Sequence, residues 1–122
     1  MIKLTGVVLR FDVEDEVGDI FSKDGTNFKN PVYVTKEFSK DLTDVIGSAE
    51  LTADGGDLIA EVNIFDNSEL TPEILKLLNP AVFGRILDRD GKNIKNCEIL
   101  GIGLCVNENI DERIKPLSII EQ

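Results

Sequence analysis

The run Ile99–Val106 reads Ile-Leu-Gly-Ile-Gly-Leu-Cys-Val, and the stretch Asn79–Leu87 before it reads Asn-Pro-Ala-Val-Phe-Gly-Arg-Ile-Leu. The run contains eight residues without a charge, and polar turns bound it. Such a run is typical of a strand that is buried on both faces of a sheet. The segment Asp88–Asn93 contains an Asp-Gly dipeptide, which is a hairpin signal. We therefore expect a hairpin with arms Ala81–Leu87 and Ile94–Val106, whose second arm is the central strand of the fold.

The length and charge of the chain limit its fold and its partners. A chain of 122 residues is the size of one domain, so we expect residues 1–122 to share one core. Its 23 acidic and 13 basic residues give a formal net charge of −10, which disfavours nucleic acid and anionic membranes as partners. No stretch approaches the roughly 20 apolar residues of a membrane span, and the N-terminus lacks the features of a signal peptide. We expect a cytosolic product whose partners carry basic patches.

The chain contains no histidine, which excludes acid–base or nucleophilic catalysis by a histidine of its own. Cys97 and Cys105 lie in or beside the apolar run, where small core residues are expected and a disulfide is not. Two cysteines without histidine make no convincing zinc site. We expect neither a metal nor another cofactor.

An acidic segment, Phe11–Asp19, follows the first strand. A calcium loop is one interpretation, but the spacing of the acids lacks the EF-hand pattern. The favoured interpretation is a solvated loop in which Gly18 takes a positive φ.

Other segments show the patterns of strands. Leu58, Ala60, Val62 and Ile64 alternate with polar residues, as in a half-buried strand, and glycines precede them in a turn. The predicted strands outside the first hairpin are Ile2–Arg10, a short Val32–Thr35, Val45–Thr52 and Leu58–Phe65. The charged segment Lys36–Asp44 is expected to be an exposed loop.

One helix is predicted between the two hairpins. Thr71 is a good N-cap, and Pro72 suits the first helical position. Two turns ending before Pro80 would place four residues on an apolar face: Ile74, Leu75, Leu77 and Leu78. Strands at regular spacing with one short helix predict a β-rich α+β fold, a single small barrel or sandwich.

Taken in order, these segments resemble the prohead proteases of tailed bacteriophages, which share the assemblin fold of herpesvirus maturation proteases. Tyr33–Lys40 is similar to the segment that carries the family's histidine, and Cys97–Leu104 resembles its Val-Glu-Leu-Leu-Glu-Val-Ser-Leu strand. The likeness extends over nearly the whole chain, with further matching segments at Gly6–Leu9, Val13–Ile20, Ile46–Gly47, Gly56–Val62 and Pro72–Leu78.

The residues that the resemblance assigns to catalysis cannot perform it. The family's histidine falls at Lys36, its nucleophilic serine at or near Ala81, and its acid at Gly101. Alanine has no nucleophile, glycine cannot orient a base, and a lysine in an exposed loop is not a base at neutral pH. The resemblance therefore implies an assemblin-like relative that is not an enzyme.

The resemblance also implies a context. We expect a non-enzymatic auxiliary or decoration protein of a phage head, made in the host cytoplasm and located in the virion, where it binds the major capsid protein or other head proteins. A homo-oligomer stays an open alternative. Three other functions stay open: a scaffold-associated assembly protein of the procapsid, an unrelated β-barrel binding module, and a residual protease using Ser39, Ser48, Ser68 or Cys105.

Residues 114–122 contain the apolar sequence Pro116-Leu117-Ser118-Ile119-Ile120. One interpretation is a docking tail that adds a strand to a neighbour, with Pro116, Leu117, Ile119 and Ile120 as the contacts. The alternative is a strand of the chain's own sheet.

Overall fold

A computed structural model describes residues 2–15, 17–36, 44–66, 70–105 and 114–120. These residues form one eight-stranded sheet and one short helix, so the predicted β-rich fold is confirmed. The elements are β1 (Ile2–Arg10), β2 (Ile20–Phe21), β3 (Thr26–Lys36), β4 (Val45–Asp54), β5 (Asp57–Ile64), α1 (Pro72–Leu75), β6 (Asn79–Asp90), β7 (Asn93–Cys105) and β8 (Ser118–Ile119).

Strand β7 is an interior strand of the sheet, with β6 on one edge and β2 and β3 as its other partners. The strand order is β2-β7-β3-β4-β5-β1-β8, and β6 pairs with β7 as well. β6 is antiparallel to β7, as the hairpin predicts, whereas β3 is parallel to it. The strand is thus interior, but it is neither central nor fully buried as predicted, because it lies beside the end of the sheet and Leu100 is 42% exposed. Gly101–Cys105 is buried, and Val106 lies outside the described residues.

The sheet is open and does not close into a barrel, so the barrel alternative of the predicted barrel or sandwich is wrong. β1 and β6 approach each other without forming a ladder between their described residues. The outer edge of β1 is instead occupied by β8, which pairs Leu4 with Ile119 and Thr5 with Ser118. Because each strand edge accepts one neighbour, β8 blocks this part of β1 from β6. We call the gap between β1 and β6 the seam.

Both hairpins close more tightly than predicted. β4 and β5 pair up to Asp54 and Asp57, and β6 and β7 pair up to Asp90 and Asn93, so each loop has two residues. Gly55 and Gly91 take φ values of 59° in these turns. A two-residue turn with positive φ matches the twist of the strands, which lets the ladders continue into segments predicted as loops.

β3 is much longer than the predicted Val32–Thr35, since it begins at Thr26. A cis peptide bond joins Asn30 to Pro31 within it. There the Asn30 side chain replaces backbone pairing, because its Nδ2 donates to Leu51 O at 2.9 Å and its Oδ1 accepts from Leu51 N at 2.7 Å. Most of the predicted loop Lys36–Asp44 lies outside the described residues, and Lys36 itself ends β3.

The helix has one turn rather than two. Thr71 is the N-cap, as predicted, and its Oγ1 accepts from Ile74 N at 3.3 Å. Leu75 and Leu78 are buried, but Ile74 and Leu77 are exposed, so half of the predicted apolar face is wrong. The helix ends early because the chain enters β6 at Asn79, and Pro80 lies within that strand.

Candidate functional site

The three positions that the resemblance assigns to catalysis lie on neighbouring strands. Lys36 on β3 is aligned with Leu104 of β7, and Ala81 on β6 is aligned with Gly103 of β7. Gly101 lies on β7 itself, two residues before Gly103. Positions that are far apart in the sequence therefore lie on three adjacent strands, but strand alternation places Lys36 on the opposite face of the sheet from Ala81 and Gly101.

Aromatic packing fills the place of a side chain at position 101. A Cβ atom on Gly101 would collide with the ring of Phe83 and lie 2.8 Å from Tyr33 O. Ala81 is buried and Lys36 is exposed. A carboxylate at position 101 would need Phe83 to move, so the arrangement favours packing over an acid.

The other candidate nucleophiles gain little support. Ser39 and Ser68 lie outside the described residues, and Ser48 is aligned with Tyr33 and Asn63 within the sheet. Cys97 and Cys105 are buried and form no disulfide, as expected. Burial raises the pKa of the Cys97 thiol, although a hydrogen bond with Thr26 Oγ1 at 3.7 Å opposes this. Cys105 is the candidate of the two, and a thiol as buried as this one is a poor nucleophile.

Turn contacts and ion pairs order the acidic segment Phe11–Asp19. Asp15 Oδ1 accepts from Val17 N at 3.1 Å and from Asp19 N at 2.8 Å, and Gly18 has the expected positive φ of 91°. Within the described residues, no group of three metal-ligating side chains is close enough to hold an ion.

Two of the acids bind cations of the β6–β7 hairpin. Asp19 accepts from Arg89 at 2.8 Å, and Glu14 accepts from Lys92 at 2.7 Å. These hydrogen bonds raise the pKa of the Arg89 guanidinium and of the Lys92 ammonium. The acids thus attach the segment to the hairpin.

A cavity of about 190 Å³ lies in the seam between β1 and β6. An irregular register in β1 lies beside it, because Val7 is aligned with Ile59 but Leu9 is aligned with Leu58. This bulge leaves Val8 and Leu9 buried in succession. The walls are mainly apolar and comprise Val8, Leu9, Val17, Phe21, Pro80, Ala81, Val82 and Ile114, with Arg10, Asp15 and Asp19 as the charged members.

Arg10 is the unusual member of this cavity. Its Nε is buried and has no hydrogen-bond partner among the described residues. Leaving a buried donor unpaired costs about 1–3 kcal/mol, and more for a charged group. The sequence gives only a weak signal for this site, namely a charge at the end of an apolar strand, and the closeness of β1 to β6 cannot be read from it.

The predicted docking tail is a strand of the chain's own sheet where the structure describes it. Leu117 is 4% exposed and belongs to the core. Ile119 and Ile120 are half-buried, Pro116 is exposed, and Ile120 N donates to Lys3 O at 2.8 Å. A shallow groove beside β8 is lined by Pro72, Lys76, Pro116, Leu117, Ser118 and Ile119.

An exposed apolar strip on β3 and β7 was not predicted. Tyr33 is 59% exposed and Leu100 is 42% exposed, and both line a shallow groove with Phe28 and Pro31. The parallel pairing of β3 with β7 creates this strip. Because that pairing joins distant segments, the sequence alone does not predict it.

Comparisons with known proteins identify no relative of this chain. No helix in the described part of the chain is long and apolar enough to cross a membrane. No family model matches the chain, and no curated protein or solved structure is similar enough to match it.

Proposed function

We propose that this protein is a non-enzymatic, assemblin-like component of a tailed-phage head that binds the major capsid protein. The observation that carries the proposal is that Lys36, Ala81 and Gly101 lie on three adjacent strands, with Ala81 and Gly101 on the same face of the sheet. The placement of these three positions on adjacent strands supports the resemblance from which they were drawn. Their side chains cannot perform the family's chemistry, which favours binding as the function.

The docking surface proposed here is β8 with the groove beside it. β8 is a two-residue edge strand, and Pro116 and Ile119 line the groove together with Lys76, while the half-buried Ile120 follows β8. A strand of the capsid protein could pair with the outer edge of β8, while its side chains enter the groove. Leu117 serves the core instead, so Pro116, Ile119 and Ile120 are the proposed contacts.

Mass spectrometry of purified virions and procapsids tests the context. The chain is expected in mature virions at a fixed ratio to the major capsid protein. Its presence in procapsids alone would favour the alternative of an assembly protein. Its absence from both particles would contradict a role in the head.

Point variants test the docking surface. We expect Ile120→Ser and Pro116→Ser to weaken binding to empty capsids in a co-sedimentation assay, because both remove apolar surface beside β8. Leu87→Ser is the matched control, since Leu87 is 56% exposed on the distant β6–β7 hairpin. Equal binding by all three variants would rule out this surface, and the virion measurement would still stand.

A further inference from the structure

We propose that the seam cavity binds an apolar monocarboxylate, a ligand with one aromatic or branched apolar group and a single carboxylate. This inference is independent of the role in a phage head. It rests on the size of the cavity, its apolar walls and the unpaired Nε of Arg10.

The cavity has the right size for one small apolar group. A protein cavity of roughly 150 Å³ with apolar walls can bind benzene. The seam cavity is about 190 Å³, which leaves room for a ring with a short substituent. Ala81 lines this space between Pro80 and Val82 with a side chain that ends at Cβ.

One charged donor in the cavity wall is left for an anion, although two aspartates also line the cavity. Asp19 is paired with Arg89, and the Asp15 carboxylate accepts two backbone N–H groups, so both acids have partners. Arg10 has a buried Nε without a partner among the described residues. A carboxylate can accept from Nε and one terminal nitrogen of a guanidinium together, which would satisfy this donor.

The net charge of −10 opposes any anion at a distance. At physiological ionic strength the screening length is about 8 Å, so remote acids have little effect on a ligand in direct contact with Arg10. The apolar group supplies the remaining attraction, because its burial in the cavity removes its surface from water. A small inorganic anion lacks this contribution and should bind more weakly.

The experiment is a titration of the ¹⁵N-labelled protein with 3-phenylpropionate at 150 mM salt, followed by NMR. We expect saturable shifts of amide signals at Val8, Arg10 and Val82. The neutral isostere 3-phenylpropionamide should bind at least about tenfold more weakly, because it carries no negative charge to pair with the Arg10 guanidinium. Equal binding of acid and amide, or shifts elsewhere only, would overturn the proposal.

Two variants test whether Arg10 is the residue that binds the carboxylate. Arg10→Met should weaken binding of the acid at least about tenfold and leave binding of the amide nearly unchanged. Arg85→Met is the control, since Arg85 is an exposed arginine of β6 that pairs with Glu98 outside the cavity. If Arg10→Met fails to fold, the comparison of acid and amide on the unaltered protein still decides the question.

The same chemistry has two sources, a free small acid or the C-terminal residue of another chain. A short peptide that ends in phenylalanine, with a free or an amidated C-terminus, separates them. Tighter binding of the free-carboxylate peptide than of 3-phenylpropionate would assign the cavity to a chain terminus, and the reverse would assign it to a small acid. Failure of every carboxylate to bind would overturn the proposal.

Discussion

At the residue scale, Gly101 shows how packing occupies the position of a catalytic acid. Gly101→Ala should lower the free energy of unfolding by about 1–3 kcal/mol, since its Cβ would collide with Phe83 and crowd Tyr33 O. Denaturant unfolding measures the loss. Gly56→Ala is the control, because a Cβ there would have nothing within 4 Å.

A double variant identifies the cause of that loss. Gly101→Ala combined with Phe83→Leu should cost less than the sum of the two single changes, because the shorter side chain relieves the collision. Strictly additive losses would contradict the proposed role of Phe83.

The raised pKa of Cys97 predicts a pH dependence of stability. Since burial raises the pKa, the folded chain holds the thiol proton more tightly than the unfolded chain. The stability that this difference in pKa contributes is fully present below about pH 8.5, the ordinary pKa of a thiol. It is lost as the pH rises through the pKa of the folded state. The free energy of unfolding should therefore fall less steeply above pH 8.5 in Cys97→Ala than in the unaltered protein. Parallel slopes would show that this thiol does not titrate differently on folding.

At the scale of elements, β8 connects the end of the described chain to the core. Leu117→Ala should lower the free energy of unfolding by about 2–5 kcal/mol, because Leu117 is buried to 4% exposure among core residues. Pro116→Ala, at an exposed neighbour, should change it by less than about 0.5 kcal/mol. Thermal and denaturant unfolding of both variants measure the difference. A loss below 1 kcal/mol for Leu117→Ala would mean that the segment 114–120 is not part of the cooperative unit.

The β4–β5 hairpin contains an unfavourable pair. Glu50 and Glu61 are aligned directly across the two strands, and both are exposed. Like charges at such positions repel, so Glu50→Lys should raise the free energy of unfolding by about 0.2–1 kcal/mol. Glu50→Gln removes the repulsion of Glu61 without adding an attraction, so its comparison with Glu50→Lys separates the two effects. Glu50→Lys combined with Glu61→Lys should lose the gain, and a persistent gain would indicate another cause.

The sequence predicts some elements well because their signals are local. The alternation of apolar and polar residues in Leu58–Ile64 predicted the buried face of β5, and Thr71 predicted the start of α1. Lys36, Ala81 and Gly101 came from the resemblance and lie on three adjacent strands, but Lys36 faces the opposite side of the sheet from the other two. The length of β3 was missed because Asn30 supports it through a contact with Leu51, 21 residues away. The cavity and the exposed Tyr33–Leu100 strip were missed for a similar reason, since both depend on which distant strands become neighbours.

At the scale of the whole molecule, the net charge of −10 decides how salt affects stability. The excess of acids repels itself in the compact state, and salt weakens this repulsion. Salt also weakens the four ion pairs recorded in the described residues, but exposed pairs contribute only about 0–1 kcal/mol each. We expect repulsion to dominate, so that the melting temperature rises with NaCl.

Most of that rise should occur at low salt, because the screening length falls from about 30 Å at 0.01 M to about 10 Å at 0.1 M. A series of thermal melts from 0.01 to 0.5 M NaCl, roughly spanning these lengths, measures it. Glu50→Lys is the matched variant, since it removes two units of negative charge and should gain less from salt. A melting temperature that falls as salt is added would mean that the ion pairs at Arg89 and Lys92 outweigh the repulsion of the whole chain.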